Sequence, residues 1–128
     1  MVRSNPVTLL LVDDEPMMIA VIEAMLEHLD CRVIKTMSPV EALDIYQQNQ
    51  TEIDMVLVDQ MMPRMTGLSL AEKLHEQNPN VKVILMTGSS VEDFEDRPNT
   101  VGVSGYLQKP FAFEDLEKAL SKTLALQP

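Results

Sequence analysis

Apolar residues gather in five short blocks along the chain, at about 7–12, 32–36, 54–58, 81–86 and 103–107. The first, third and fourth are nearly continuous in Val, Leu, Ile and Met, as in strands buried on both faces. The second, Arg32-Val33-Ile34-Lys35-Thr36, is more polar and predicts an edge strand. The intervening segments change to helical spacing. Ile19, Ile22, Leu26 and Leu29 fall on one stripe, with Glu23 and Glu27 facing away. Pro16 suits the first turn of that helix, with Asp14 or Glu15 as its cap. Ser38-Pro39 followed by Glu41 opens a second helix as a capping box, running to about Asn49. Leu68, Ala71 and Leu74 mark a third, closed near Asn78-Pro79. Phe113, Leu116, Leu120 and Leu124 mark the last, over about 112–126. Between the fourth and fifth blocks the pattern weakens. Val91 to Asp96 allow a short helix, and Pro98, Asn99 and Gly102 disfavour a longer one. Strand and helix alternate throughout. This predicts an α/β fold, a doubly wound five-stranded parallel sheet with helices on both faces and right-handed crossovers.

Composition narrows the reading. A chain of 128 residues with 45% hydrophobic content suffices for one domain with a real core and is short for two. Residues 1–128 are therefore expected to form a single domain. The net charge of −10 argues against direct nucleic-acid binding and against an anionic membrane surface, since both favour a basic face. One cysteine, Cys31, cannot form an internal disulfide, which fits a reducing compartment. The apolar run Val7 to Val12 is too short for a membrane span. A soluble cytoplasmic protein is expected.

Candidate chemistry lies at the strand ends. A parallel sheet gathers the carboxyl ends of its strands along one edge. Asp13 and Asp14 close the first block, Asp59 the third, Thr87 the fourth, and Lys109 follows the fifth. Alone, each has an ordinary explanation: the acids as caps, the lysine as a solvated side chain, Thr87-Gly88-Ser89 as a turn. Together they converge on one crevice. At about 4 Å and an effective dielectric near 20, each pair of carboxylates would repel by roughly 4 kcal/mol. One Mg²⁺ together with the Lys109 ammonium balances the three negative charges, and hard oxygen ligands suit that ion.

These residues and their settings resemble the receiver domains of two-component response regulators, from about Val7 to Leu126. The resemblance rests on Asp13-Asp14 in Val-Asp-Asp-Glu-Pro, on Asp59 in an Asp-x-x-Met-Pro-x-Met-x-Gly segment, on Thr87, and on Lys109-Pro110. It implies a flavodoxin-like sheet of strand order 2-1-3-4-5 and makes Asp59 the phosphoacceptor. It implies that Asp14 ligates Mg²⁺ directly, Asp13 mainly through water, and that Asp59 and the backbone carbonyl of Met61 complete the protein ligands. Lys109 and Thr87 would contact phosphoryl oxygens, and Tyr106 would follow Thr87 in a conformational switch. The Lys109-Pro110 bond resembles one that is cis in the family.

The implied partners are a histidine kinase or histidine phosphotransfer protein, then a downstream protein effector or a tethered output domain. A phosphorylation-dependent dimer belongs to the same expectation. The Asp59–Gly67 segment is similar to receivers attached to hybrid histidine kinases. Two departures from the family pattern stand out. Gly88 replaces the usual alanine and keeps the phosphoryl entrance open. Residues 99–105 lack the usual Ala-Gly-Ala lead into the last strand.

Other functions fit less well. A Mg²⁺-dependent phosphohydrolase with an Asp nucleophile usually carries a second Asp two residues on, where this chain has Met61. The chain is thus expected to be no enzyme beyond assisting its own phosphorylation and dephosphorylation. A flavin-binding protein needs a phosphate loop of backbone donors, and Asp13-Asp14-Glu15-Pro16 would repel a phosphate. A docking module that is never phosphorylated would not need the complete acidic site. Elsewhere, Met17, Met18, Met61, Met62 and Met65 are expected to fill gaps and pack loops. Glu92, Asp93, Glu95 and Asp96 are read as a solvated face and Cys31 as a small packed residue. His28 and His75 are assigned no role.

Overall fold

The continuous apolar blocks form strands in which every residue is buried: β1 (Thr8–Val12), β3 (Met55–Asp59) and β4 (Val83–Thr87). The polar block forms β2 (Arg32–Thr36), with Arg32 and Lys35 exposed. The last strand is β5 (Val103–Gln108). The helices are α1 (Pro16–His28), α2 (Pro39–Asn49), α3 (Gly67–Gln77) and α4 (Phe113–Leu124). The computed structural model describes residues 6–88 and 102–125. The short helix expected over Val91 to Asp96, and the acidic run within it, lie outside the described residues.

All strand pairs are parallel, in the order β2-β1-β3-β4-β5, so the polar strand is indeed at an edge. Alternating side chains feed two cores. Leu10, Val12, Val56, Val58 and Leu85 pack with Leu70 and Leu74 of α3 and with Ala42 and Tyr46 of α2. Leu9, Leu11, Leu57, Ile84 and Met86 pack with Ile19, Ile22 and Leu26 of α1 and with Leu116 and Leu120 of α4. β3 is central, so its carboxyl end has a strand end on each side.

Two helix starts differ from expectation in detail. Glu15 is the N-cap of α1 but its side chain makes no capping bond, and the Glu15 N–H donates instead to Asp13 Oδ1 at 2.9 Å. At α2, Ser38 Oγ accepts the Glu41 N–H at 3.1 Å, the forward half of a capping box. The return half is diverted. Glu41 Oε1 accepts from the Thr36 hydroxyl at 2.6 Å, and that hydroxyl oxygen accepts the Ser38 N–H at 3.1 Å. A buried threonine thus relays the box and ties the end of β2 to α2. Before β5, Gly102 has φ 88°, and a Cβ there would lie 2.5 Å from the Ala71 carbonyl oxygen. Only glycine lets the chain return this closely over α3. No helix among the described residues is long and apolar enough to cross a membrane.

Candidate functional site

Each candidate side chain stands where a strand runs out. Asp13 follows β1 directly, and its backbone N–H still reaches the Thr36 carbonyl at 3.3 Å, as if the strand continued. Its side chain is fully buried. One carboxylate oxygen holds the Glu15 N–H and the other accepts from Lys109 Nζ at 3.0 Å. Asp59 is the last residue of β3 and is 5% exposed. Its Oδ1 lies 3.2 Å from the same ammonium. Asp14 is half-buried. Carboxylate oxygens of Asp13, Asp14 and Asp59 lie within 4.8 Å of one another. The cluster expected at the strand ends is therefore assembled, with Lys109 bridging two of its members.

Lys109 is aimed by its own backbone. Its N–H donates to the Thr87 carbonyl at 2.7 Å, extending the β4–β5 pairing by one residue beyond Gln108. The Lys109-Pro110 bond is cis, as the resemblance implies. Thr87 ends β4 and is buried. Tyr106 is half-buried, pairs in register with Leu85, and packs against the α2–α3 core. With the period-two alternation of strands, Thr87 and Tyr106 share that sheet face.

The charges do not balance. Burial pushes the Asp59 carboxyl up from its ordinary value. Lys109 opposes this, Asp13 and Asp14 reinforce it, and the net direction is upward. Burial alone would lower the Lys109 ammonium, but its hydrogen bond to Asp13 and the two carboxylates outweigh that and hold it above its ordinary value. One cation among three acids satisfies itself and leaves Asp59 under-compensated. The remaining negative charge, carried on hard oxygens, fits a small divalent cation such as Mg²⁺.

Two residues given no role of their own in the sequence reading complete the construction. Gln60 is buried. Its N–H donates to the Met86 carbonyl at 2.8 Å, its carbonyl accepts the Gly67 N–H at 3.0 Å, and its Oε1 accepts the Leu68 N–H at 2.9 Å. It thus clamps the start of α3 back onto the end of β3. Gly67 sits beneath that clamp, where a Cβ would lie 2.6 Å from the Asp59 carbonyl oxygen. The glycine was visible as part of a motif, but its packing reason was not. A glutamine in a polar loop carries no signal of its own.

The methionines divide. Met62 is buried and Met18 and Met65 pack against the cores, as expected. Met17 and Met61 are instead 79% and 74% exposed and fill no gap. Gly88 is exposed, and a Cβ there would meet nothing within 4 Å among the described residues, so packing against them does not demand glycine.

The family model of the response regulator receiver domain matches residues 9–121. The chain belongs to that family. It is a receiver domain of two-component signal transduction. Receiver domains with known structures share its form. One from Clostridium thermocellum is 29% identical, with a TM-score of 0.85 over 92% of this chain and 94% of that one. The receiver domain of a sensor histidine kinase from Pseudomonas aeruginosa, solved with a magnesium ion coordinated in its active site cleft, is 27% identical. Its TM-score is 0.84 over 95% of this chain and all of that one. Among curated relatives, the sensor kinase CckA of Brucella abortus is 31% identical over 124 residues, 97% of this chain and 13% of the kinase. The transcriptional regulatory protein MalR of Bacillus subtilis is 31% identical over 115 residues, 90% of this chain and 49% of the regulator. This receiver thus spans less than half the length of either relative.

Proposed function

We propose that Asp59 is the phosphoacceptor of this receiver and that the acids around it hold Mg²⁺. The observation that carries the reading is the convergence of Asp13, Asp14 and Asp59 with an ammonium already bridging two of them. Asp14, Asp13, Asp59 and the backbone carbonyl of Met61 would hold the ion, which supplies charge neutralisation at the phosphoryl oxygens. Asp59 supplies a carboxylate oxygen as nucleophile to the phosphorus of a phosphohistidine or acyl phosphate. The new O–P bond forms as the P–N or P–O bond to the donor breaks. The donor leaves with the bonding electron pair, and a departing imidazole takes a proton from solvent. Burial raises the cost of the Asp59 charge and disposes it to react once neutralised. Lys109 exchanges one carboxylate contact for a phosphoryl oxygen, and Thr87 donates its hydroxyl to another. Tyr106, on the same sheet face as Thr87, moves with it and alters the surface beside β5.

The same groups assist hydrolysis of the aspartyl phosphate, and no turnover on external esters is expected. A histidine kinase or phosphotransfer protein supplies the phosphoryl group. A protein effector, a tethered output domain or a second phosphorylated copy receives the signal, in the cytoplasm. Residues 1–128 act here as one receiver domain. Incubation with Mg²⁺ and acetyl phosphate, followed by intact-mass analysis, tests this reading. One phosphoryl addition is expected, absent in Asp59→Asn and reduced in Asp14→Ala. Equal labelling of wild type and Asp59→Asn would sink the mechanism.

A further inference from the structure

The first N–H groups of a helix have no partner within it and are satisfied from outside. At α3 these belong to Gly67, Leu68 and Ser69. Ser69 donates to Thr66 Oγ1 at 3.1 Å, an ordinary N-cap. The other two converge on one residue. Gly67 donates to the Gln60 carbonyl at 3.0 Å and Leu68 to Gln60 Oε1 at 2.9 Å. Gln60 is itself fixed to the sheet, because its N–H donates to the Met86 carbonyl of β4 at 2.8 Å. A buried side chain rooted in the sheet therefore closes the neck of the loop 61–66.

That loop begins with Met61. The Met61 side chain is exposed and so cannot anchor it, whereas Met62 is buried in the core under α2 and α3. Further on, Arg64 takes the left-handed φ of 72°, and the Met65 N–H folds back onto the Pro63 carbonyl at 2.8 Å. The peptide that carries the Met61 carbonyl thus lies between the Gln60 clamp and the buried Met62.

We infer that Gln60 is a positioning residue for the divalent cation. Its side-chain oxygen, by closing the neck of the loop, sets where the Met61 carbonyl stands relative to the acid cluster, and so how tightly and how selectively the site takes Mg²⁺. The inference rests on the reading that the acids and this carbonyl hold the ion. A carboxylate can swing to follow an ion, but a main-chain carbonyl moves only with its loop. Mg²⁺ demands near-ideal octahedral geometry, while Ca²⁺ accepts varied geometries. A loosened neck should therefore cost Mg²⁺ more than Ca²⁺, which a general loss of stability would not do.

Three variants separate the clamp from the fold. Gln60→Met keeps length and bulk and removes the acceptor. Gln60→Asn keeps the amide but is one methylene too short to reach Leu68. Gln60→Glu keeps an oxygen at the same reach. Amide hydrogen exchange in EDTA reads the clamp, and titration calorimetry with Mg²⁺ and with Ca²⁺ reads the site. In the Met and Asn variants the Leu68 N–H should exchange faster and the Mg²⁺ Kd should rise roughly tenfold. The Ca²⁺ Kd should rise by less than about threefold. The Glu variant should protect Leu68 and bind Mg²⁺ at least as tightly as wild type. Unchanged Leu68 exchange, an unchanged Mg²⁺ Kd, or equal weakening of both ions would overturn the inference. So would a Glu variant that protects Leu68 and still binds Mg²⁺ weakly. Should Gln60→Met not fold, Gln60→Asn decides alone. Wild-type protein that binds no Mg²⁺ would overturn the metal reading itself, and this inference with it.

Discussion

Asp59 is held in a state of unmet charge. Its carboxylate is buried beside two others, and the ammonium within reach is shared with Asp13. In the metal-free protein, Asp59→Asn removes one charge of this excess and leaves the Lys109–Asp13 pair intact. The variant should be more stable than wild type by on the order of 1 kcal/mol, measured by urea unfolding in EDTA. The pH dependence has a definite sign. Because the folded-state pKa of Asp59 lies above 3.8, the folded protein holds the extra proton in the window just above that value. The Asp59 contribution to stability therefore falls as pH rises through that window, and the difference between wild type and Asp59→Asn should grow. Lys109 acts at the other extreme. Its pKa lies above 10.5, so its contribution is complete below that value and is lost as pH rises through the raised one.

At the scale of elements, the loop from β3 to α3 decides where Asp59 points. Gly67 packs under Asp59 with no room for a methyl group. Gly67→Ala should destabilise the fold by about 1–3 kcal/mol and slow acetyl phosphate labelling, because the backbone of Asp59 must shift. Gly88→Ala meets open space among the described residues and should change stability by less than about 0.5 kcal/mol. Thermal or urea unfolding of the two variants side by side checks the contrast.

Much of this architecture was legible beforehand. Burial on two faces leaves a continuous apolar run, so β1, β3 and β4 announced themselves, and the polar β2 announced its edge position. The strand-end acids followed from topology. The clamp by Gln60 was not legible, because hydrogen bonds across a loop leave no periodic trace. Nor was the division of Asp13 between Glu15 and Lys109, which depends on where a lysine many residues later comes to rest. Helical spacing identified the buried stripe Ile19, Ile22 and Leu26, yet it is silent on whether an off-stripe Met17 is covered.

At the scale of the whole molecule, the proposed metal site would link metal binding to folding. A cation bound by the folded acid cluster, and not by the unfolded chain, stabilises the protein by about 2.7 kcal/mol at a hundredfold excess over its Kd. Mg²⁺ should therefore raise the unfolding midpoint, EDTA should reverse the shift, and Asp14→Ala should diminish it. Calorimetry across a magnesium titration would show this. An unfolding curve unmoved by Mg²⁺ would count against the metal site.

The route of Lys109 to the cluster has one more consequence. All three acids precede Gly88, whereas the lysine that bridges two of them follows Gly102 and arrives by the pairing of β5 on β4. A polypeptide opened between residues 88 and 102 would carry its acids on one fragment and its counter-cation on the other. Acceptor chemistry would then become a readout of reassembly: acetyl phosphate labelling of the mixed fragments should depend on their concentration and saturate as β5 finds β4. A receiver divided in this way would report the meeting of two proteins fused to its halves.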